Sequence, residues 1–216
     1  MKLSPEEINQ IKSWISKRGF THTDVQFEII DHVASAIEDL KEEKPELDLE
    51  SAYNKVRSKF GPTGFLSFEE SIQKRYQKEL NHAYLNAAKS FIASPKMIIL
   101  ALFSIVLFQL SKSFPDSFEM ILQSIVISLV VFSFGYSLIL YLSKRHIRKY
   151  LSFKMSVGVI TLSACLVFNL RFFYIDLVNH NLSIVLLVAL TLLIYSVAKG
   201  SLGMINKTEE LNKIYQ

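Results

Sequence analysis

Five side chains close together in the chain, His22, Asp24, Glu28, Asp31 and His32, are of the types that ligate metals or move protons. On a helix, the i, i+3 and i+4 spacing makes Glu28, Asp31 and His32 neighbours. Zinc needs a defined set of three or four N, S or O ligands, and the sequence has neither an HExxH motif nor a cysteine pair. Adjacent residues on a helix also point about 100° apart, which separates Asp31 from His32. The pattern therefore predicts a packed, hydrogen-bonded histidine at the edge of a helical core, and no metal.

Charge inside an apolar run is a second signal. Arg171 and Asn169 sit near the end of such a run, and an intramembrane charge is a functional-site hypothesis by default. A long side chain can also snorkel to the interface, here beside Tyr174 and Asp176, and an asparagine can bridge two helices. Lys144, Arg145, Arg148 and Lys149 form a third group, suited to lipid headgroups. The six-residue link 144–149, pinned to a bilayer, is a poor nucleic-acid site. No nucleophile elbow, phosphate loop or dinucleotide fingerprint is present, so neither catalytic residues nor a cofactor is expected. Cys165 is the one cysteine and excludes an internal disulfide.

The elements that hold these residues fall into two compositions. Residues 1–90 carry 13 Lys and Arg against 15 Asp and Glu, and residues 91–216 carry 11 against 5. Four apolar runs lie in the second part, at 92–111, 118–142, 153–175 and 182–202. About 20 helical residues cross the hydrocarbon of a bilayer. The expected fold is all-α: a small cytoplasmic helical bundle over 1–90, a four-helix transmembrane bundle over 91–205, and a polar tail over 206–216 that frays. The first run, split by Ser104 and Gln109, is the weakest. The basic residues crowd the link after the second run, the connector before the first and the stretch after the fourth. That bias predicts both termini in the cytoplasm. The start of the chain lacks the apolar core of a cleavable signal, so the first run is expected to act as an uncleaved one. Gly135 and Gly158, with Ser156 and Ser163, are candidate close contacts between helices, within one chain or in a homo-oligomer.

Within residues 1–90, Ser4-Pro5-Glu6-Glu7 reads as a capping box with proline in the first turn. Ile8, Ile11, Trp14 and Ile15 recur at helical spacing, and Gly19 ends that helix. A second helix carries Val25, Ile29, Ile30, Val33, Ile37 and Leu40 along one side, up to Lys44-Pro45. A short third runs from Asp48 to Phe60 and stops at Gly61-Pro62. A long polar fourth runs from Gly64 to Phe91, with Phe65, Phe68, Ile72, Tyr76 and Leu80 as its stripe.

The segment Asp24-Val25-Gln26-Phe27-Glu28-Ile29-Ile30-Asp31-His32-Val33-Ala34-Ser35-Ala36-Ile37-Glu38 follows Leu3-Ser4-Pro5-Glu6-Glu7 and precedes an Ala52…Phe60-Gly61 element. Over residues 1–64 this resembles the small helical HAAS-type signalling domain, in a Bacteroidota-like variant with a longer acidic stretch at 42–50. The resemblance implies a non-enzymatic membrane adaptor or sensor in a bacterial inner membrane, with a protein partner. Glu28, Asp31, His32 and Glu38 are the residues expected to meet that partner. A second class of function fits the spans: an accessory subunit of a transporter or membrane enzyme complex, with Arg171 and Asn169 at its working surface.

Overall fold

The computed structural model describes residues 2–61, 64–174 and 180–214, with side chains for all of these except 167–174, 180 and 214. Among the described residues the chain is all-α, with eight helices, one 3-10 turn and no strand. It divides into two compact units: Met1–Lys78 with Lys149–Ser152, and Glu79–Arg148 with Phe153–Gln216.

The first unit holds α1 (Pro5–Ser16), α2 (Thr23–Glu43), α3 (Leu49–Ser58) and the first half of α4 (Leu66–Ile92). Local chemistry sets the helix ends. The Ser4 hydroxyl accepts from the Glu7 N–H at 3.2 Å, and the Glu7 carboxylate accepts from the Ser4 N–H at 2.8 Å, which satisfies two N–H groups at the head of α1. Asp48 caps α3 by accepting from the Ser51 N–H at 2.7 Å. Gly19 follows α1 with φ of +95°, a left-handed conformation that glycine adopts without strain. Both α1 and α3 pack on α2. Ile11, Ile15, Val25, Ile29, Val33, Ile37, Ala52 and Val56 are buried at helical spacing. Aromatic contacts extend this core, with Trp14 against Tyr53 at 4.8 Å and Phe65 against Phe60 at 4.8 Å between ring centres.

The second unit holds the rest of α4, then α5 (Lys96–Ser113), α6 (Pro115–Ser143), the turn Arg145–Ile147, α7 (Leu151–Tyr174, from Phe153 on) and α8 (His180–Ile214). Three helical stretches are long and apolar enough to cross a membrane: Lys96–Ser113, Pro115–Ser143 and Asn181–Lys213. The described apolar part of α7 is Leu151–Leu166, shorter than a full crossing. The first stretch begins at Lys96 rather than at residue 92, because α4 ends at Ile92 and the chain turns through Ser94-Pro95. Ile98, Ile99, Leu102, Ile105, Val131, Phe132 and Ile139 all face outward. Water would penalise so large an apolar surface, whereas lipid tails accept it. The chain is thus a multi-pass membrane protein by the character of these helices.

Hydroxyls inside the spans turn back on their own helices. Ser104, Ser124, Ser128, Thr191 and Ser196 each donate to a carbonyl four residues earlier, at 2.7–2.8 Å. α8 continues through Ile214, into the stretch expected as a polar tail, with Ser201, Ile205, Thr208 and Asn212 buried along one side. Its partner there is the second half of α4. The Tyr84 hydroxyl lies 3.2 Å from that of Ser201, and Lys207 pairs with Glu79 at 2.7 Å. Gly200 makes that approach possible, since a Cβ there would stand 2.5 Å from the Tyr84 ring and 3.0 Å from the α4 backbone. Gly135 and Gly158 meet nothing within 4 Å, so the close contact within the chain is at Gly200 instead.

Candidate functional site

Asp24 is the only buried charged side chain among the described residues. It stands second in α2, and its carboxylate reaches across 127 positions of sequence. Oδ1 accepts from the Leu151 N–H at 2.8 Å, and Oδ2 accepts from the Ser152 N–H at 3.0 Å. The Thr23 N–H donates to the Lys149 carbonyl at 3.0 Å. These three bonds make Lys149–Ser152, the first turn of α7 included, part of the first unit. A carboxylate placed on the exposed N–H groups of a helix start also meets the positive end of the helix dipole.

The buried hydroxyl of Tyr76, on α4, hydrogen-bonds the same carboxylate. Burial, and then the negative charge of Asp24, push the Tyr76 phenol well above its ordinary value, so it stays protonated and donates. Asp24 thereby ties α2, α4 and the head of α7 at one point. Beside it, His22 Nδ1 is buried without a hydrogen-bond partner. The geometry is that of a clamp.

The residues singled out on α2 have separate fates. Glu28 forms a two-pronged ion pair with Arg75 of α4. That neighbouring carboxylate raises the Arg75 pKa further. Glu38 accepts from the Leu3 N–H at 2.9 Å. Asp31 and His32 are exposed. His32 is not hydrogen-bonded at a core edge; its ring meets Phe68 edge-on at 4.9 Å. Its position one residue past Asp31 carries it to the exposed side of α2, against the α4 aromatic. Among the described residues no three His, Cys, Asp or Glu side chains gather to hold a metal.

No family model, curated protein or solved structure matches this chain. What stands of the HAAS-type resemblance is its all-helical character and the apolar helices that follow.

The basic link divides. Lys144 pairs with Glu209 of α8 at 2.7 Å, and His146 Nε2 approaches the other oxygen at 3.3 Å. The Arg148 guanidinium donates to the Tyr141 carbonyl at 2.6 Å and lies over the Tyr141 ring. Arg145 and Lys149 are exposed. The side chains of Asn169 and Arg171 lie outside the described residues. An open groove of about 350 Å³ in the first unit is lined by Trp14, Lys17, Arg18, Glu50, Tyr53 and Asn54.

The Asp24 clamp and the Gly200 contact were the features that sequence reasoning missed. Asp24 has the look of an ordinary first-turn acid, which is stabilising at any helix start. Glu209 did carry a signal, as one of two adjacent acids in a tail following a basic link.

Proposed function

We propose that the chain is a non-enzymatic, multi-pass membrane adaptor or sensor whose helical first unit binds a protein partner. The observation that carries this reading is the Asp24 clamp. It builds the first turn of α7 into the same packed unit as α2 and α4, so a partner that shifts α2 changes the hydrogen bonds at the head of α7. The partner surface is the outer face of α2, where Asp31 and His32 are exposed, flanked by Glu28 and Glu38. These last two are held by Arg75 and the Leu3 N–H, which fixes the edges of that face. The HAAS-type resemblance adds signalling in a bacterial cytoplasmic membrane.

Two contacts support four crossings with both termini on one side. Lys96 at the start of α5 and Lys199 near the end of the apolar part of α8 flank one ring, Tyr195. Lys144, just past α6, pairs with Glu209, beyond the apolar part of α8. The start of α5, the end of α6 and the exit of α8 then share a side, and α7 has to cross for α8 to return. The basic residues gathered there make that side the cytoplasm.

The test uses the full chain in mild detergent, with Asp31→Arg/His32→Ala beside the natural protein. Loss of specific co-purifying proteins from the variant, at unchanged membrane insertion and thermal stability, is the expected result. An identical set of captured proteins would remove the α2 face as the partner surface.

A further inference from the structure

Lys96 and Lys199 of the second unit bring two positive charges to one aromatic ring. Lys96 Nζ donates to the Tyr195 hydroxyl at 3.2 Å and stands 5.1 Å from the ring centre. Lys199 Nζ lies 5.7 Å from the same centre and donates to the Ser90 hydroxyl at 3.3 Å. Phe91 packs on Tyr195 with ring centres 4.7 Å apart, which holds the phenol in place. Both lysines and Ser90 are exposed, and Tyr195 is half-buried. Two ammonium groups thus share one aromatic ring and two neutral hydroxyls, with no carboxylate bonded to either among the described residues. Farther along α4 and α8, Glu79 is engaged by Lys207, and Glu209 by Lys144 and His146.

The level of this cluster in the membrane follows from its neighbours. The apolar run of α5 starts at Met97, directly after Lys96, and Ile98 and Ile99 are more than 60% exposed. On α8 the apolar run ends at Ala198, directly before Lys199. Both boundaries meet at Tyr195, a residue type that favours the interface. This is the depth at which lipid phosphates lie, and lysine stems there reach outward along apolar surface. Like charges brought to one ring need a shared anion, and a phosphate has oxygens enough for two ammonium groups and two hydroxyls.

We propose that Lys96, Lys199, Tyr195 and Ser90 form a binding site for the phosphate of an anionic phospholipid headgroup. The site is distinct from the basic link after α6, where Lys144 and Arg148 already have partners in the protein. It stands independently of the adaptor reading and needs only that α5 and α8 lie in a bilayer.

Native mass spectrometry of the full chain in mild detergent tests the proposal, with phosphatidylglycerol and phosphatidylcholine added in competition. The natural protein should retain one phosphatidylglycerol per chain in preference to phosphatidylcholine. Lys96→Gln/Lys199→Gln should lower that retention about 30-fold, at the strength typical of two basic residues near an anionic surface. Arg145→Gln/Lys149→Gln should leave it unchanged. Equal retention of the two lipids by the natural protein would overturn the proposal without any variant, as would full retention by the lysine double variant. Displacement of phosphatidylglycerol by millimolar inorganic phosphate would make this a free-phosphate site and overturn the lipid assignment.

Discussion

Replacing Asp24 with asparagine tests the clamp most directly. The carboxylate accepts backbone N–H bonds from Leu151 and Ser152, a local one from Val25, and one hydroxyl bond from Tyr76. Hydrogen bonds to a charged group contribute about 1.5–3 kcal/mol each, and neutral ones about 1 kcal/mol. Asparagine keeps one acceptor oxygen, so one backbone donor is left opposite an NH₂ group. The expected cost is about 2–4 kcal/mol, concentrated at the head of α7. At about 1.4 kcal/mol per tenfold, local opening there becomes roughly 30- to 700-fold more frequent. Hydrogen exchange on the full chain in detergent reads this in peptides covering 149–152, where the Leu151 and Ser152 amides should lose their protection. Asp31→Asn, at an exposed site on the same helix, serves as the control and should change nothing there. Unchanged protection of residues 149–152 in Asp24→Asn would refute the clamp, and with it the route by which α2 is tied to the head of α7.

Three further outcomes follow from the same structure. Tyr76→Phe should destabilise the first unit by about 1 kcal/mol, the size of one hydroxyl bond, measured by thermal unfolding. Because the Tyr76 pKa is raised in the folded state, the natural protein should also lose stability as pH rises past the ordinary phenol range of about 10, and the variant should lose less. Gly200→Ala should lower the melting temperature, since overpacking against the α4 backbone costs about 1–3 kcal/mol against a helix-propensity gain of about 1 kcal/mol. Gly203→Ala meets nothing within 4 Å and should raise it. The Lys41 hydrogen bond, then the Ser4 N–H, hold the Glu7 carboxyl below its ordinary value. Its stabilisation, at most about 1 kcal/mol, is present at neutral pH and disappears as pH falls below the ordinary glutamate range near 4. Acid titration of stability in Glu7→Gln against the natural protein should therefore converge at low pH.

Helix ends were legible wherever their chemistry is local. Ser4 with Glu7, and Gly19, need only a few residues of context, and the structure has them where the spacing predicts. Three of the four apolar runs were legible for the same reason, as helices long and apolar enough to cross a membrane, with the first displaced by the Ser94-Pro95 turn. Asp24 was not legible, because nothing at residue 24 names residues 151 and 152 as its donors. The end of α8 was missed for a different reason. Its buried stripe passes from Met204 and Ile205 to Thr208 and Asn212, so a period counted in apolar residues stops too early. The end of α8 also has ion pairs, Lys207 with Glu79 of α4 and Glu209 with Lys144, which composition alone does not reveal.

The basic residues show how far a count can carry. Summed along the chain, Lys144, Arg148, Lys96 and Lys199 are equivalent contributors to an inward-positive bias. In space they differ. Lys144 is matched by Glu209, and the Arg148 guanidinium donates to a carbonyl and covers a ring. The Lys144 ion pair fastens the end of α6 to α8, so binding a lipid at Lys144 would first have to break it. Lys96 and Lys199 hold only neutral oxygens and one ring, so an anion adds to their contacts without displacing a stronger one. A charge that sets orientation and a charge that binds a headgroup are thus separated by whether the fold already supplies the counter-ion. That distinction sets Lys96 and Lys199, at the boundary of α5 and α8, apart from Lys144, whose counter-ion the fold supplies in Glu209.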